Sequence, residues 1–314
     1  MTEADERAEG PAVHAIQVDL IAVLVAVSSG APRVMTLNDG RALPSGPFEL
    51  GHRSLQSGLR AWVERQTHHP LGYVEQLYTF ADKDRGGEGG ARTISISYLG
   101  LTRELSDGEG GWRSWYDHFP WEDHRAGRPA VIDRLIAPAL AAWSAAGPGA
   151  SGRAARRQRA ATAFGLDEHP WNDEMTLQRY ELLYEAGLVP EARRAPPAGA
   201  TPEVPGNAMI GDHRRILATG IARLRAKIKY RPVVFELMPD TFTLLQLQRC
   251  VEALAGRSVH KQNFRRLMEQ QELVEETGES TSEGIGRPAK LFRFRHAVLA
   301  ERAFSGTKLP LARS

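Results

Sequence analysis

The chain has 314 residues with 40 Lys+Arg against 38 Asp+Glu, a formal charge of +2 and a single cysteine. Its length and ordinary hydrophobic content give room for two cores, and one cysteine excludes a disulfide framework within the chain and points to a reducing compartment. The near-neutral total hides an asymmetry: residues 206–314 hold 19 Lys+Arg against 11 Asp+Glu, whereas residues 1–205 hold 21 against 27.

Taken in chain order, residues 1–12 are expected to form a disordered tail. Their acidic, polar character gives no sign of a secretory leader, and the apolar run Leu20 to Val27 is too short and too β-branched for a membrane span. A cytoplasmic protein with no membrane partner is expected. From Val13 to Val27 the row is almost continuously apolar, as in a strand buried on both faces, and Ser28 to Pro32 turns it into a return strand at Arg33 to Leu37. A helix from about Leu55 to Arg65 places Leu55, Leu59, Trp62 and Val63 on one side. Strand patterns follow at Leu71 to Phe80 and Arg92 to Leu99, separated by a Gly-rich loop from Asp82 to Gly90.

The aromatic group Trp112, Trp115, Tyr116, Phe119, Pro120 and Trp121 could stack a nucleobase, but it reads more simply as core packing. Helices are expected at Ala130–Ala146, Arg153–Phe164 and Asp173–Ala186. The arginines at 153, 156, 157 and 159 read as a solvated helix face. A Pro- and Ala-rich linker runs from Pro190 to Pro205.

The C-terminal part carries the sharpest pattern. Thr243 can cap a helix with Leu244, Leu247, Val251 and Leu254 on one side, ended by Gly256, and Cys250 falls on that apolar side as a buried, inert thiol. Ser258 is placed to cap a second helix, with Phe264, Leu267 and Met268 turned inward. At 100° per residue its other face carries Gln262, Arg265, Arg266 and Glu269, with Ser258 and Lys261 at the leading turn. A polar tip from Thr277 to Gly286 precedes the alternating strand Arg287 to Arg295. Helix, turn, helix and basic hairpin together predict a winged helix-turn-helix. Its candidate DNA contacts are Ser258, Lys261, Gln262, Arg265, Arg266, Arg287 and Lys290, on a basic module attached to an acidic remainder.

The N-terminal part resembles a Nudix domain, whose signature is Gly, five residues, Glu, seven residues, then Arg-Glu-apolar-x-Glu-Glu-x-Gly. Counted from Gly46, the first Glu position falls on His52 and the later block on Arg60-Ala61-Trp62-Val63-Glu64-Arg65-Gln66-Thr67. Gly46, Arg60, Trp62 and Glu64 remain. One carboxylate cannot hold the divalent cations that Nudix hydrolysis needs, so no metal site, no catalytic residue and no enzyme activity are expected. Asp212-His213, Arg223 to Tyr230, Phe235 to Pro239, Phe242 to Leu244, Asn263 to Arg266 and Gly286 to Ala289 resemble the Nudix-related transcriptional regulators of NAD metabolism, the NrtR type. The added length between the two parts makes the chain similar to the longer alphaproteobacterial regulators of the NadQ type.

The expected fold is therefore α/β plus α+β. A Nudix-like α/β/α sandwich with a degenerate box spans 13–146, a helical extension and linker 147–206, and the winged helix-turn-helix 207–314. The resemblance implies a repressor of NAD biosynthesis or salvage genes, acting as a homodimer on a double-stranded operator. It also implies a nucleotide effector such as ATP, ADP-ribose or an NAD-related metabolite, with no cofactor required. Arg33, Arg41, Arg60 and Arg92 lie on or near the expected strands and box and could hold its phosphates without a metal. The alternative is a Nudix-type hydrolase of nucleoside-diphosphate-linked substrates with an unconventional metal site.

Overall fold

The computed structural model describes residues 16–69, 71–81, 92–103, 111–192, 203–281 and 288–297. The expected tail 1–12, the loop 82–90, residues 193–202 of the linker and the wing tip with Arg287 lie outside the described residues.

Strand β1 (Ile16–Ser28) is the spine of the sheet because its side chains are apolar on both faces. Period two sends Leu20, Ala22, Leu24 and Ala26 toward Leu59 and Val63 of helix α1 (Leu55–Thr67). The alternate residues Ile21, Val23 and Val25 share the larger core with Ile216, Leu217, Ile221 and Leu224 of helix α6 (His213–Ile228). The other strands are β2 (Ala31–Met35), β3 (Ser45–Pro47), β4 (Tyr73–Phe80), β5 (Arg92–Leu101) and β6 (Trp112–Ser114). They are ordered β4-β5-β1-β2-β6, with β3 also on β1, and β5 alone runs parallel to its neighbour β1. An α/β/α sandwich results. Helix α6 falls within the expected C-terminal division, yet it covers one face of this sheet.

Between them lies a helical block: α2 (Trp115–His118), α3 (Ala137–Ala145) after a π-helical turn Ile132–Ile136, α4 (Gly149–Phe164), and α5 (Thr176–Glu185) entered through a 3₁₀ turn Asp173–Met175. Trp115, Phe119 and Trp121 have no solvent exposure, so the aromatic group is core.

The C-terminal head contains α7 (Leu244–Ala255), α8 (Lys261–Gln271), β7 (Val274–Thr281) and β8 (Ala289–Phe294). Thr243 caps α7 through a capping box with Gln246, and Gly256 ends it at φ 69°. Burial raises the Cys250 thiol to about 12, so it packs as an apolar group. A backbone bridge between Phe242 and Phe292 closes the two-stranded β7–β8 hairpin onto the head.

Ser258 corrects one expectation. Its hydroxyl donates to the Arg125 carbonyl at 3.0 Å, and α8 begins after His260 with no side-chain cap. A carbonyl far away in the sequence competes successfully for the hydroxyl. Leu267 is a second correction: it is 47% exposed, while Phe264 and Met268 bury the helix.

The head is joined to the body by buried charge. The Glu122 carboxylate accepts from Arg179 Nε at 2.5 Å and Nη2 at 2.9 Å, from Arg225 Nη1 and from Thr176 Oγ at 3.2 Å. All three charged side chains are fully buried. Arg225, near the end of α6, also donates through Nε to the Leu254 carbonyl of α7 at 2.9 Å. The last carbonyls of a helix lack intrahelical partners, and here the body supplies them: Tyr116 Oη donates to Ala253 O at 2.7 Å and His124 N to Gly256 O at 2.7 Å. A Cβ on residue 256 would lie 2.4 Å from the Glu122 carbonyl oxygen, so glycine is required twice over, for its φ and for its closeness.

Two outcomes follow from this junction. Glu122→Gln leaves two buried guanidinium groups without a full charge partner and is expected to cost about 3–5 kcal/mol in urea unfolding. A loss below about 1 kcal/mol, the surface-pair range, would show that the cluster does not hold the head. Acid should loosen the same junction in two stages. Burial pushes the His124 imidazole down to about 4, so its share of stability is full above 6.5 and is lost as pH falls toward 4. Burial alone would raise Glu122, but Arg179 and Arg225 hold it below its ordinary 4.5, so its share is lost only below that value. Thermal melts from pH 7 to 4.5 are expected to fall in the wild type and to fall less steeply in His124→Asn, where the His118 imidazole, also pushed down by burial, keeps its share.

Candidate nucleic-acid interface

Helix α8 presents its polar face to solvent. Lys261, Gln262, Asn263, Arg265, Arg266, Glu269 and Gln270 are all exposed. Taking Phe264 and Met268 as the inner direction, 100° steps put Arg266 directly opposite and Arg265 to one side. Gln262 lies beside Arg266. Asn263 and Gln270, not singled out from the sequence, share the outer face, where a strict count of outward positions would have found them.

The cations of helix and wing differ in their surroundings. Lys261, Arg265 and Arg266 make no ion pair among the described residues, so α8 offers unneutralised charge. In the hairpin, Lys290 Nζ sits 2.9 Å from both Glu276 oxygens, Arg293 Nε 2.6 Å from Glu275, and Arg295 Nη1 3.2 Å from Glu272. The first two are exposed cross-strand pairs of small net worth, the third ties the end of α8 to the residue after β8, and a phosphate must displace a carboxylate to engage any of them. Ser258 is exposed at the head of α8 but donates inward to Arg125.

The four candidate effector arginines are not brought together. Arg33 is in register with Ala26 near the end of β1, and Arg92 is in register with Ile16 at its start. Those β1 positions are about 33 Å apart at about 3.3 Å per residue. Arg41 is exposed on the turn after β2, and its carbonyl accepts from Ile210 N at 2.8 Å. Arg60 donates to the carbonyls of Leu71 and Gly72, the latter at 3.1 Å, and so braces the approach to β4. Arg33 Nε is buried and makes no hydrogen bond among the described residues.

The degenerate box is also spent on structure. Trp62 Nε1 donates to Pro47 O at 2.9 Å, and Gln66 exchanges two hydrogen bonds with the Ser45 backbone at 3.1 and 2.8 Å. A Cβ at Gly46 would strike the Trp62 ring at 2.3 Å. Among the described residues no group of three or more His, Cys, Asp or Glu side chains could hold a metal ion.

Comparison with known proteins decides the character of the head. The NrtR DNA-binding winged helix domain family matches residues 234–294. These residues are a winged helix domain of the NrtR type. Over 83 residues the chain is 42% identical to the "ADPR responsive transcriptional repressor NtrR" of Acinetobacter baylyi. That match covers 26% of this chain and 33% of the relative, so the alignment spans about a third of that protein's length. In fold, the chain resembles Shewanella oneidensis NrtR crystallised with a 27mer DNA, at TM-score 0.52 and 18% identity over 90% of this chain and 95% of that one. A second crystal structure of Shewanella oneidensis NrtR gives TM-score 0.50 at 17% identity, covering 88% of this chain and 94% of that one. The chain thus shares the fold of that Shewanella protein, a sandwich joined to a winged helix head. No helix among the described residues is long and apolar enough to cross a membrane.

The charge arrangement of the NrtR-type head sets the mutational outcome. Arg266→Ala should change the preferred base at one operator position by about 1–3 kcal/mol. Lys290→Ala should weaken all sequences evenly and flatten the salt dependence by about one unit of slope. Glu276→Gln, which releases Lys290, should strengthen binding on every sequence. Binding unaffected by all three changes, measured by fluorescence anisotropy across a salt series, would exclude this face.

Proposed function

We propose that the protein is a DNA-binding transcriptional repressor of NAD biosynthesis or salvage genes that responds to an adenine nucleotide or NAD-related metabolite, with ADP-ribose the first candidate. The observation that carries this reading is an NrtR-type head whose α8 carries unpaired outward cations, in a chain that is 42% identical over 83 residues to a repressor named for its ADPR response. The Shewanella relative crystallised with DNA supports the same assignment of partner.

On this reading residues 13–146 sense the metabolite, 147–206 tie the parts together, and 207–314 read DNA, in the cytoplasm. The protein works as a homodimer, because one winged helix reads a half-site and two-fold operators are matched by two-fold proteins. The sandwich senses without hydrolysing: Glu64 stands exposed on α1, and its neighbours Trp62 and Gln66 are occupied in closing the loop from Ser45 to Pro47. No cofactor is required.

The test is a footprint on the gene's own upstream region, with and without ATP, NAD and ADP-ribose. A protected two-fold site whose occupancy changes with one nucleotide is expected. In parallel, ADP-ribose incubated with the protein and Mg²⁺ or Mn²⁺ should stay intact. Rapid metal-dependent release of mononucleotides, with no protected DNA, would overturn the reading in favour of a hydrolase.

A further inference from the structure

A cleft of about 590 Å³ lies where the sandwich meets the head. Its walls come from both: Tyr73 on β4 and Arg103 just past β5 on one side, Phe235, Asp240 and Phe294 of the head on the other. Lys227 and Arg231, at the end of α6 and just beyond it, line it between them. The size is that of a small-molecule site rather than of a bare ion.

Its cations suit an oxyanion, although the Glu236 and Asp240 carboxylates also stand on its wall. Arg231 makes no ion pair or side-chain hydrogen bond among the described residues, and it stands close enough to Lys227 to disfavour that ammonium's charge, after the larger effect of burial. Lys227 itself is paired with Glu75 and donates to Tyr73 Oη at 2.6 Å. Arg103 crosses from sandwich to head to meet Asp240 at 2.9 Å, an exposed pair that a more highly charged anion can displace. Pro232, Val233 and the rings of Tyr73, Phe235 and Phe294 supply apolar wall for the rest of a ligand.

We infer that this cleft binds the phosphate of a nucleotide through Arg231 and Arg103, with the remainder of the ligand against the Tyr73 and Phe235 walls. The inference rests on the metabolite-sensing reading above and extends its site from the sandwich onto the end of α6 and the head. A ligand held here touches sandwich and head at once, so its binding free energy is shared by both without a relay.

The experiment is isothermal titration of the full-length protein with ATP, ADP-ribose, NAD and inorganic phosphate, for wild type, Arg231→Ala, Arg231→Lys and Arg103→Ala. Operator affinity without nucleotide is measured alongside. Loss of one charge-assisted contact should weaken nucleotide binding about tenfold or more in either Ala variant, with partial rescue by Lys. Operator affinity without nucleotide should be unchanged, which also reports an intact fold. Equal nucleotide binding by wild type and both Ala variants would overturn the cleft while leaving the sensing reading in place. A wild type that binds its operator but no nucleotide would remove both. Inorganic phosphate binding as tightly as nucleotide would reject the nucleotide as ligand, and a fall in nucleotide-free operator affinity in Arg231→Ala would reassign that side chain to DNA.

Discussion

One carboxylate, Glu122, holds the molecule together where its parts meet. It follows the aromatic stretch that closes the sheet, and it neutralises an arginine from the helical extension and another from α6. Taking three ions out of water is costly, and the cluster is stable only because nearly every donor is matched: Arg179 also donates to the Ala163 and Asn172 carbonyls, and Arg225 to the Asp173 and Leu254 carbonyls. Trp171 lies 3.8 Å from the Arg179 guanidinium and covers it. A cluster of this kind tolerates little displacement, because any shift leaves a buried charge short of a partner.

Helix α6 carries that constraint to the rest. One side of it is the apolar cover of the sheet, and the same helix buries two arginines. Arg214 at its start donates to the His118 carbonyl and pairs with Glu191, while Arg225 near its end reaches the head. Sandwich, extension and head therefore share a single beam, and movement of the head requires movement at the sheet or rupture of the Glu122 cluster.

Much of this was legible where the physics is local. The two-faced apolar run of β1, the amphipathic spacing of α1 and α7, and the Thr243 and Gly256 caps depend on neighbours within a few positions, and they appear as read. Contacts across long separations were not. Arg225 reads as one more cation in a basic helix, and Glu122 is 103 residues away from it. Ser258 fits a cap by spacing, but its hydroxyl finds Arg125. Arg33, Arg41, Arg60 and Arg92 form a group only along the sequence, because strand direction separates the first from the last and backbone carbonyls occupy Arg60. On the outer face of α8 the cations were legible from helical period alone, whereas the carboxylates that shadow the wing cations depend on hairpin register.

The end of α7 bears on how proteins of this architecture diversify. Winged helix domains are commonly regarded as portable, and new regulators as the product of recombining a reader with a sensor. Here the carbonyls of Ala253, Leu254 and Gly256 are completed by Tyr116, Arg225 and His124, which lie outside the family-matched stretch 234–294. A transplanted head would arrive with three acceptors stripped of their donors. Exchange of specificity in this lineage is therefore expected to proceed by substitution on the outer face of α8, within a fixed head, rather than by trading whole domains.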